Sequence, residues 1–214
     1  MAESDLYCPN CTVPIKSGIL SNNRLLTKQE NKIIQVYRQN DIGGYCQKCG
    51  NDLLSESSEK MKTEIAHYRK QLDKAIFQIP VVTAHSPHGW DYKTIGIVTG
   101  QSTMGTGVLT ELTSSITDAF GVSSGRHNTK LKKGEDLCLA QLRSAAYEMG
   151  GNAIIGTDID YSEIGSGKGI LMVCMAGTVV NLQNTEVLDR RIKVAIEDIP
   201  RILAKLKPLE KLVN

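Results

Sequence analysis

Four cysteines in two closely spaced pairs are the residues of this chain best suited to chemistry. Cys8-Pro9-Asn10-Cys11 and Cys46-Gln47-Lys48-Cys49-Gly50 each set two thiolates about one tight turn apart. Both sulfurs of a pair can then face a single ion while backbone amides turn toward them. Two such knuckles make a tetrahedral four-sulfur site, favoured over disulfides by the paired spacing and over redox dithiols or chance cysteines because the second knuckle ends in glycine and both lie in polar, loop-like sequence. Zinc (Zn) held by Cys8, Cys11, Cys46 and Cys49 would have no open position for water, so it would fold the module without catalysing anything.

Other candidates are weaker. Alternation along Ala153 to Tyr161 puts Ala153, Ile155, Thr157, Ile159 and Tyr161 on one strand face and Ile154, Gly156, Asp158 and Asp160 on the other. Two carboxylates on one face, Asp158 and Asp160, could hold a hard cation as a second metal site or act as an acid pair. Pairing with lysine or arginine across a subunit interface is the favoured alternative. Met172 and Cys174 share a face with Met175 opposite, so a soft-metal site can be drawn, but no histidine sits beside them and packing is favoured. His85 and His88 flank Pro87 and precede Gly89, which argues for a solvated loop, and Trp90 is expected to plug a subunit junction. Gly165 to Gly169 resembles a phosphate loop only superficially, since no helix follows. No nucleophile, base and acid stand in a recognisable pattern, so no catalytic residues, no organic cofactor and no enzymatic activity are expected.

Composition narrows the class. The 214 residues carry a formal net charge of +2, too little to gather nucleic acid by field alone, and no basic block interleaves with aromatics. The first residues lack the features of a secretory signal, no apolar run reaches a membrane span, and a cytoplasmic protein with reduced thiols is expected.

These sites need elements to position them. Residues 1–54 read as a zinc-ribbon-like module, with a strand at Ile33 to Tyr37, a turn at Gly43-Gly44, and Lys16, Arg24, Lys28, Lys32 and Arg38 scattered over a solvated surface. A polar break, LLSESS at Leu53 to Ser58, precedes a linking helix within 55–79, running from about Ser57 to Phe77. Met61, Ile65, Tyr68, Leu72, Ala75 and Ile79 recur along it in steps of four and three. An amphipathic helix packed on its own domain is favoured over a stalk beneath a ring of subunits. Pro80 closes the helix, and Val81 to Thr83 is expected to begin the sheet. A short helix over Leu109, Leu112, Ile116 and Phe120 should end at Gly121 to Gly125. The next, Thr129 to Met149, turns Leu131, Cys138, Leu142, Ala145 and Met149 inward and stops at Gly150-Gly151. Ile170 to Leu182 is long and uncharged and needs cover on both faces. A tail at 184–214 should form a helix from about Val187 to Leu206, capped by Asn184 or Thr185, kinked at Pro200, with an apolar stripe of Ile192, Ala195, Ile196, Ile199, Ile202, Leu203 and Leu206.

Three runs carry a family resemblance. GIVTG at Gly96 to Gly100, the alanine-rich helix ending in Met149-Gly150-Gly151, and GTDIDY at Gly156 to Tyr161 followed by LMVCMAGTVV together resemble the YbjQ-like family, whose members carry a heavy-metal-binding label. The resemblance spans about residues 80–182, within a domain read as 80–183. It implies an α+β fold, a small β-α-α-β-β domain with Lys93 to Ser102 as its first strand, forming an oligomeric, pentameric ring or stacked rings. Gly96 and Gly100 would permit close backbone contacts. Family members have an Arg-Ser-Gly run where this chain reads Ser123-Ser124-Gly125 before Arg126-His127-Asn128, so an anion-binding or ion-pair role there does not carry over. The reading that follows is a non-enzymatic homo-oligomeric metal-binding or assembly protein with a structural zinc site. The alternative is a ribbon and C-terminal helix that recruit a protein partner or nucleic acid, made multivalent by the ring.

Overall fold

Thr27 and Glu30 decide the first element. The Thr27 hydroxyl accepts from the Glu30 amide at 3.1 Å while the Glu30 carboxylate accepts from the Thr27 amide at 2.6 Å, a reciprocal cap that starts helix α1, Lys28–Tyr37. In the computed structural model, which describes residues 7–15, 23–38, 44–104, 123–164 and 170–213, this helix stands where a strand is expected. The cap outweighs the β-branched pair Ile33-Ile34, and helical spacing still buries Ile34 completely.

Helix α2, Gln47–Ile76, starts at the second knuckle and runs straight through LLSESS. Leu53, Leu54, Ser57, Met61 and Ile65 form one inward stripe, and Ser57, buried itself, is a small residue within it. Serines alone do not end a helix whose apolar face stays in phase. The chain divides into two compact units, Met1–Leu72 with Pro200–Asn214, and Asp73–Ile199. In the first, Met61 and Ile65 pack with Leu206 and Leu209, joined by Ile33, Tyr37, Tyr68, Leu72 and Leu212. The seam of α2 thus has a partner within its own chain, as the favoured reading has it.

The second unit holds a three-stranded antiparallel sheet of order β1-β3-β2, from β1, Tyr92–Met104, β2, Ala153–Ile164, and β3, Ile170–Leu182. Helix α3, Ser123–Glu148, lies on one face. It begins earlier than the sequence suggests, so Ser123 to Gly125 are helical and make no break. The short helix expected over Leu109 to Phe120 and the run Gly165 to Gly169 lie outside the described residues. Val98, Cys138, Leu142, Ala146, Ile154, Val173, Met175 and Val179 form the core between α3 and the sheet. Ala146 is the inward residue of the last turn, whereas Met149 is exposed. At Gly100 the sheet and α3 meet backbone to backbone: a Cβ there would lie 2.7 Å from the Cys138 carbonyl oxygen. The outer edge of β1 is closed at one point by Gln141, whose side chain accepts from the Gln101 amide at 2.9 Å and donates to its carbonyl at 3.1 Å.

Two features interrupt the expected alternation of β2. Pro80 to Ala84 runs beside it, bridged in parallel at Val81 and Ile154, with the Ile154 amide bonded to Pro80 and the Thr157 amide to Val82. The register then shifts between Ile155 and Asp158, at Gly156, whose φ of +58 suits glycine. Ile155 faces Thr178 and Asp158 faces Ala176, so Asp158 and Asp160 share the face of Ile155 and not that of Ile154. Trp90, half-buried, packs beside Ala153, Ile155, Val180 and Leu182 of its own chain, with Val82, Tyr92 and Leu188.

A 3-10 turn, Thr185–Val187, leads to α4, Arg190–Val213. Its cap is Asp189, whose carboxylate accepts from the Arg191 amide at 2.8 Å, and not Asn184 or Thr185. Asn184 instead ties the strand end to the preceding loop, accepting from the Asp91 amide and donating to the Gly89 carbonyl. The helix continues through Pro200 and Pro208, beyond the end expected at Leu206.

Candidate metal centre

The first knuckle is a tight loop. Tyr7 and Pro14 bridge across it, the Cys8 amide donates to the Val13 carbonyl and the Thr12 amide to the Cys8 carbonyl, each at 2.9 Å. This aims Cys8 and Cys11 inward and leaves Thr12 at φ +55, a left-handed conformation that a β-branched residue adopts only under constraint. The second knuckle is the start of α2. Cys46 precedes the helix and bridges Leu25, and the Gly50 amide returns to the Cys46 carbonyl at 2.8 Å. The first amides of α2 therefore point toward the sulfurs.

The four sulfurs lie within 4.8 Å of one another. Neighbouring edges measure 3.7 Å from Cys8 to Cys49, 3.6 Å from Cys11 to Cys46 and 3.7 Å from Cys46 to Cys49. A zinc-to-sulfur bond of about 2.3 Å in a regular tetrahedron requires sulfur-to-sulfur edges of about 3.8 Å, and a disulfide would require about 2.05 Å. All six cysteines are free thiols. Only this cluster, among the described residues, gathers three or more metal-ligating side chains.

The electrostatics fit a cation. Burial opposes charge on Cys46, but the Cys49 amide, the Asn23 side chain and the neighbouring thiols outweigh it and bring Cys46 down to about 6. Burial also opposes charge on Cys8, and there the amides of Cys11 and Asn10 prevail, so its thiol falls below the ordinary value. At Cys11 the Val13 amide favours the thiolate, yet burial and three adjacent thiols push the group up to about 12. Four thiols this close share their charges, and a dication lets all four ionise together. Two residues that spacing did not single out support the site: Asn10 donates to Cys49 Sγ at 3.4 Å, and Asn23 accepts from the Lys48 amide at 3.4 Å while donating to Pro14 at 3.2 Å. Asparagine between or near paired cysteines is the only signal that could have marked them.

The remaining candidates stand apart from this site. Asp158 and Asp160 are exposed on the sheet face turned away from α3, opposite Ala176 and Cys174 across the ladder. Met172 and Cys174 share that face half-buried, while Met175 belongs to the α3 core. His85 and His88 are exposed, with the His85 ring resting over Gly156.

Residues 79–183 match the profile of the family described as "Putative heavy-metal-binding". They form a YbjQ-like domain. The match covers the sheet and α3, and the four-cysteine cluster precedes it, fitting a zinc-ribbon-like module in its two knuckles though a helix, α1, stands between them. A crystal structure of a protein of unknown function from Pediococcus pentosaceus, of the DUF74 family, is similar at 15% identity, covering 48% of this chain and 96% of that one with a TM-score of 0.36. No described helix is long and apolar enough to cross a membrane.

Proposed function

We propose that the protein is a non-enzymatic, homo-oligomeric metal-binding and assembly protein of a reducing, cytoplasmic environment. Zinc is held by Cys8, Cys11, Cys46 and Cys49, and identical YbjQ-like domains close into a ring, pentameric as the resemblance implies. The observation that carries the metal half is the set of sulfur edges of 3.6 to 3.7 Å, which fit one tetrahedral ion bound by four thiolates. When bound, zinc supplies a fixed fourfold crosslink between the knuckles and no open coordination position. Cys8 and Cys46 would hold it from the buried side and Cys11 and Cys49 from the surface side, with Asn10 orienting Cys49.

Assembly is supported by what one copy leaves uncovered. Ile97 is 76% exposed on the sheet face opposite α3, near exposed Ile95 and Ala176. Among the described residues, β2 has no strand alongside its outer edge from Asp158 to Ile164. A head-to-tail contact between unlike edges closes into a ring when the rotation between copies permits.

Zinc analysis and mass measurement of the purified full chain test both halves. About one zinc per chain and a mass several times that of the chain support the reading. A zinc content well below one per chain, or a monomer at high concentration, overturns it.

A further inference from the structure

We propose that the four-cysteine site has a fixed half, Cys46 and Cys49, and an opening half, Cys8 and Cys11, so that metal is exchanged when an incoming small thiol displaces Cys11. The proposal rests on the metal-site reading above and concerns how that site lets go.

The fixed half is built into the fold. The Leu26 amide donates to the Tyr45 carbonyl at 2.8 Å, the Gln47 amide to Arg24 at 2.9 Å, and the Tyr45 amide to Asn31 Oδ1 at 3.0 Å. Gly50 sits so tightly that a Cβ would come within 2.6 Å of Leu26 and 2.7 Å of Tyr45. Cys49 packs against the buried cluster of Leu26, Ile34 and Tyr45, together with Leu53 and Leu54. Moving Cys46 or Cys49 would unwind the start of α2 and uncover that cluster.

Few bonds among the described residues tie the other half to the rest of the chain. Among the described residues, 7–15 close mainly on themselves, and their bonds elsewhere are Asn23 to the Pro14 carbonyl, Asn10 to Cys49 Sγ, and the contacts between sulfurs. Thr12, next to Cys11, sits at φ +55 in the closed knuckle, a conformation costly for a β-branched residue, so opening would relieve strain. Cys8 is 1% exposed, whereas Cys11 is partly exposed, so a diffusing thiol meets Cys11 first. In the exchange, the incoming thiolate sulfur takes the position of Cys11 Sγ. The proton it gave up ends on Cys11, and no electron changes hands.

The test uses the full chain loaded with zinc, its metal content measured first. Release to a chromogenic chelator should rise with the concentration of a small monothiol. It should be about three- to tenfold slower in Thr12→Asn and Thr12→Gly, which tolerate the left-handed conformation. Hydrogen exchange of the wild-type loaded chain should open the amides of residues 8 and 10–13 well before those of residues 46–54. Release indifferent to both Thr12 substitutions, or equal protection of the two knuckles, overturns the proposal while leaving the metal site standing. A chain that takes up no zinc overturns both.

Discussion

Two glycines of β1 offer the sharpest test of how the YbjQ-like domain is packed, because they make the same approach to different atoms. A Cβ on Gly96 would lie 2.7 Å from Met149 Cε, and a Cβ on Gly100 would lie 2.7 Å from the Cys138 carbonyl oxygen and 3.1 Å from its Cα. Ordinary contact begins near 3.4 Å, so either alanine needs about 0.7 Å of retreat by its neighbour. Met149 is 42% exposed and can swing its terminal methyl into water. The Cys138 backbone is locked in α3, so β1 and the helix must separate along the core that contains Val98, Leu142 and Val173. Overpacking of that kind costs about 1–3 kcal/mol, against about 0.5–1 kcal/mol gained by removing a glycine from a strand. Gly100→Ala should therefore lose about 1–2 kcal/mol in urea unfolding of the full chain, and Gly96→Ala should stay within about 0.5 kcal/mol of the wild type or gain slightly. Adding Cys138→Ala to Gly100→Ala should restore nothing, since the clash is with backbone. Equal stability losses for the two glycine variants, or rescue by truncating Cys138, would refute this account of the interface.

Two further outcomes follow from single side chains. Arg24 and the Thr27 amide hold the Glu30 carboxyl down at about 2, so its contribution to α1 is present above its ordinary value of 4.5 and is lost as pH falls from there toward 2. The stability difference between wild type and Glu30→Gln should shrink over that window, and a difference constant from pH 5 to pH 2 would contradict the capping box. Thr157 is 6% exposed and its hydroxyl has no partner among the described residues, so Thr157→Val should be neutral or up to about 2 kcal/mol stabilising by thermal or urea unfolding, and a clear loss would show that the hydroxyl is bonded.

The four-cysteine cluster was legible because its geometry is local. Two sulfurs three residues apart face the same way whatever lies around them, and pairing two such knuckles needs only that the chain return. The ends of β3 were equally plain, since uncharged sequence between glycines and polar residues leaves little choice. By contrast, Ile33 to Tyr37 misled because a β-branched pair suits a strand by propensity, while the reciprocal cap of Thr27 and Glu30 commits the segment to a helix. LLSESS read as a break because serine is common at helix ends, yet here Ser57 lies on the buried stripe of α2.

What the residues determined by themselves was chemistry and period: four thiols in two knuckles, helices with one apolar side, and strands long enough to need cover. What only the tertiary structure decided was phase and partner. The side of the sheet on which Asp158 and Asp160 project depends on a register shift at Gly156, where Pro80 to Ala84 lies alongside β2 and bonds the Gly156 and Thr157 amides. The mate of the α2 seam is Leu206 and Leu209, more than a hundred residues away in the sequence. Apolar surface is non-directional and asks only to be covered, so a stripe announces its need for a partner without naming it. The identity of that partner, and the single extra residue that turns a strand over, are set by contacts between segments distant along the chain.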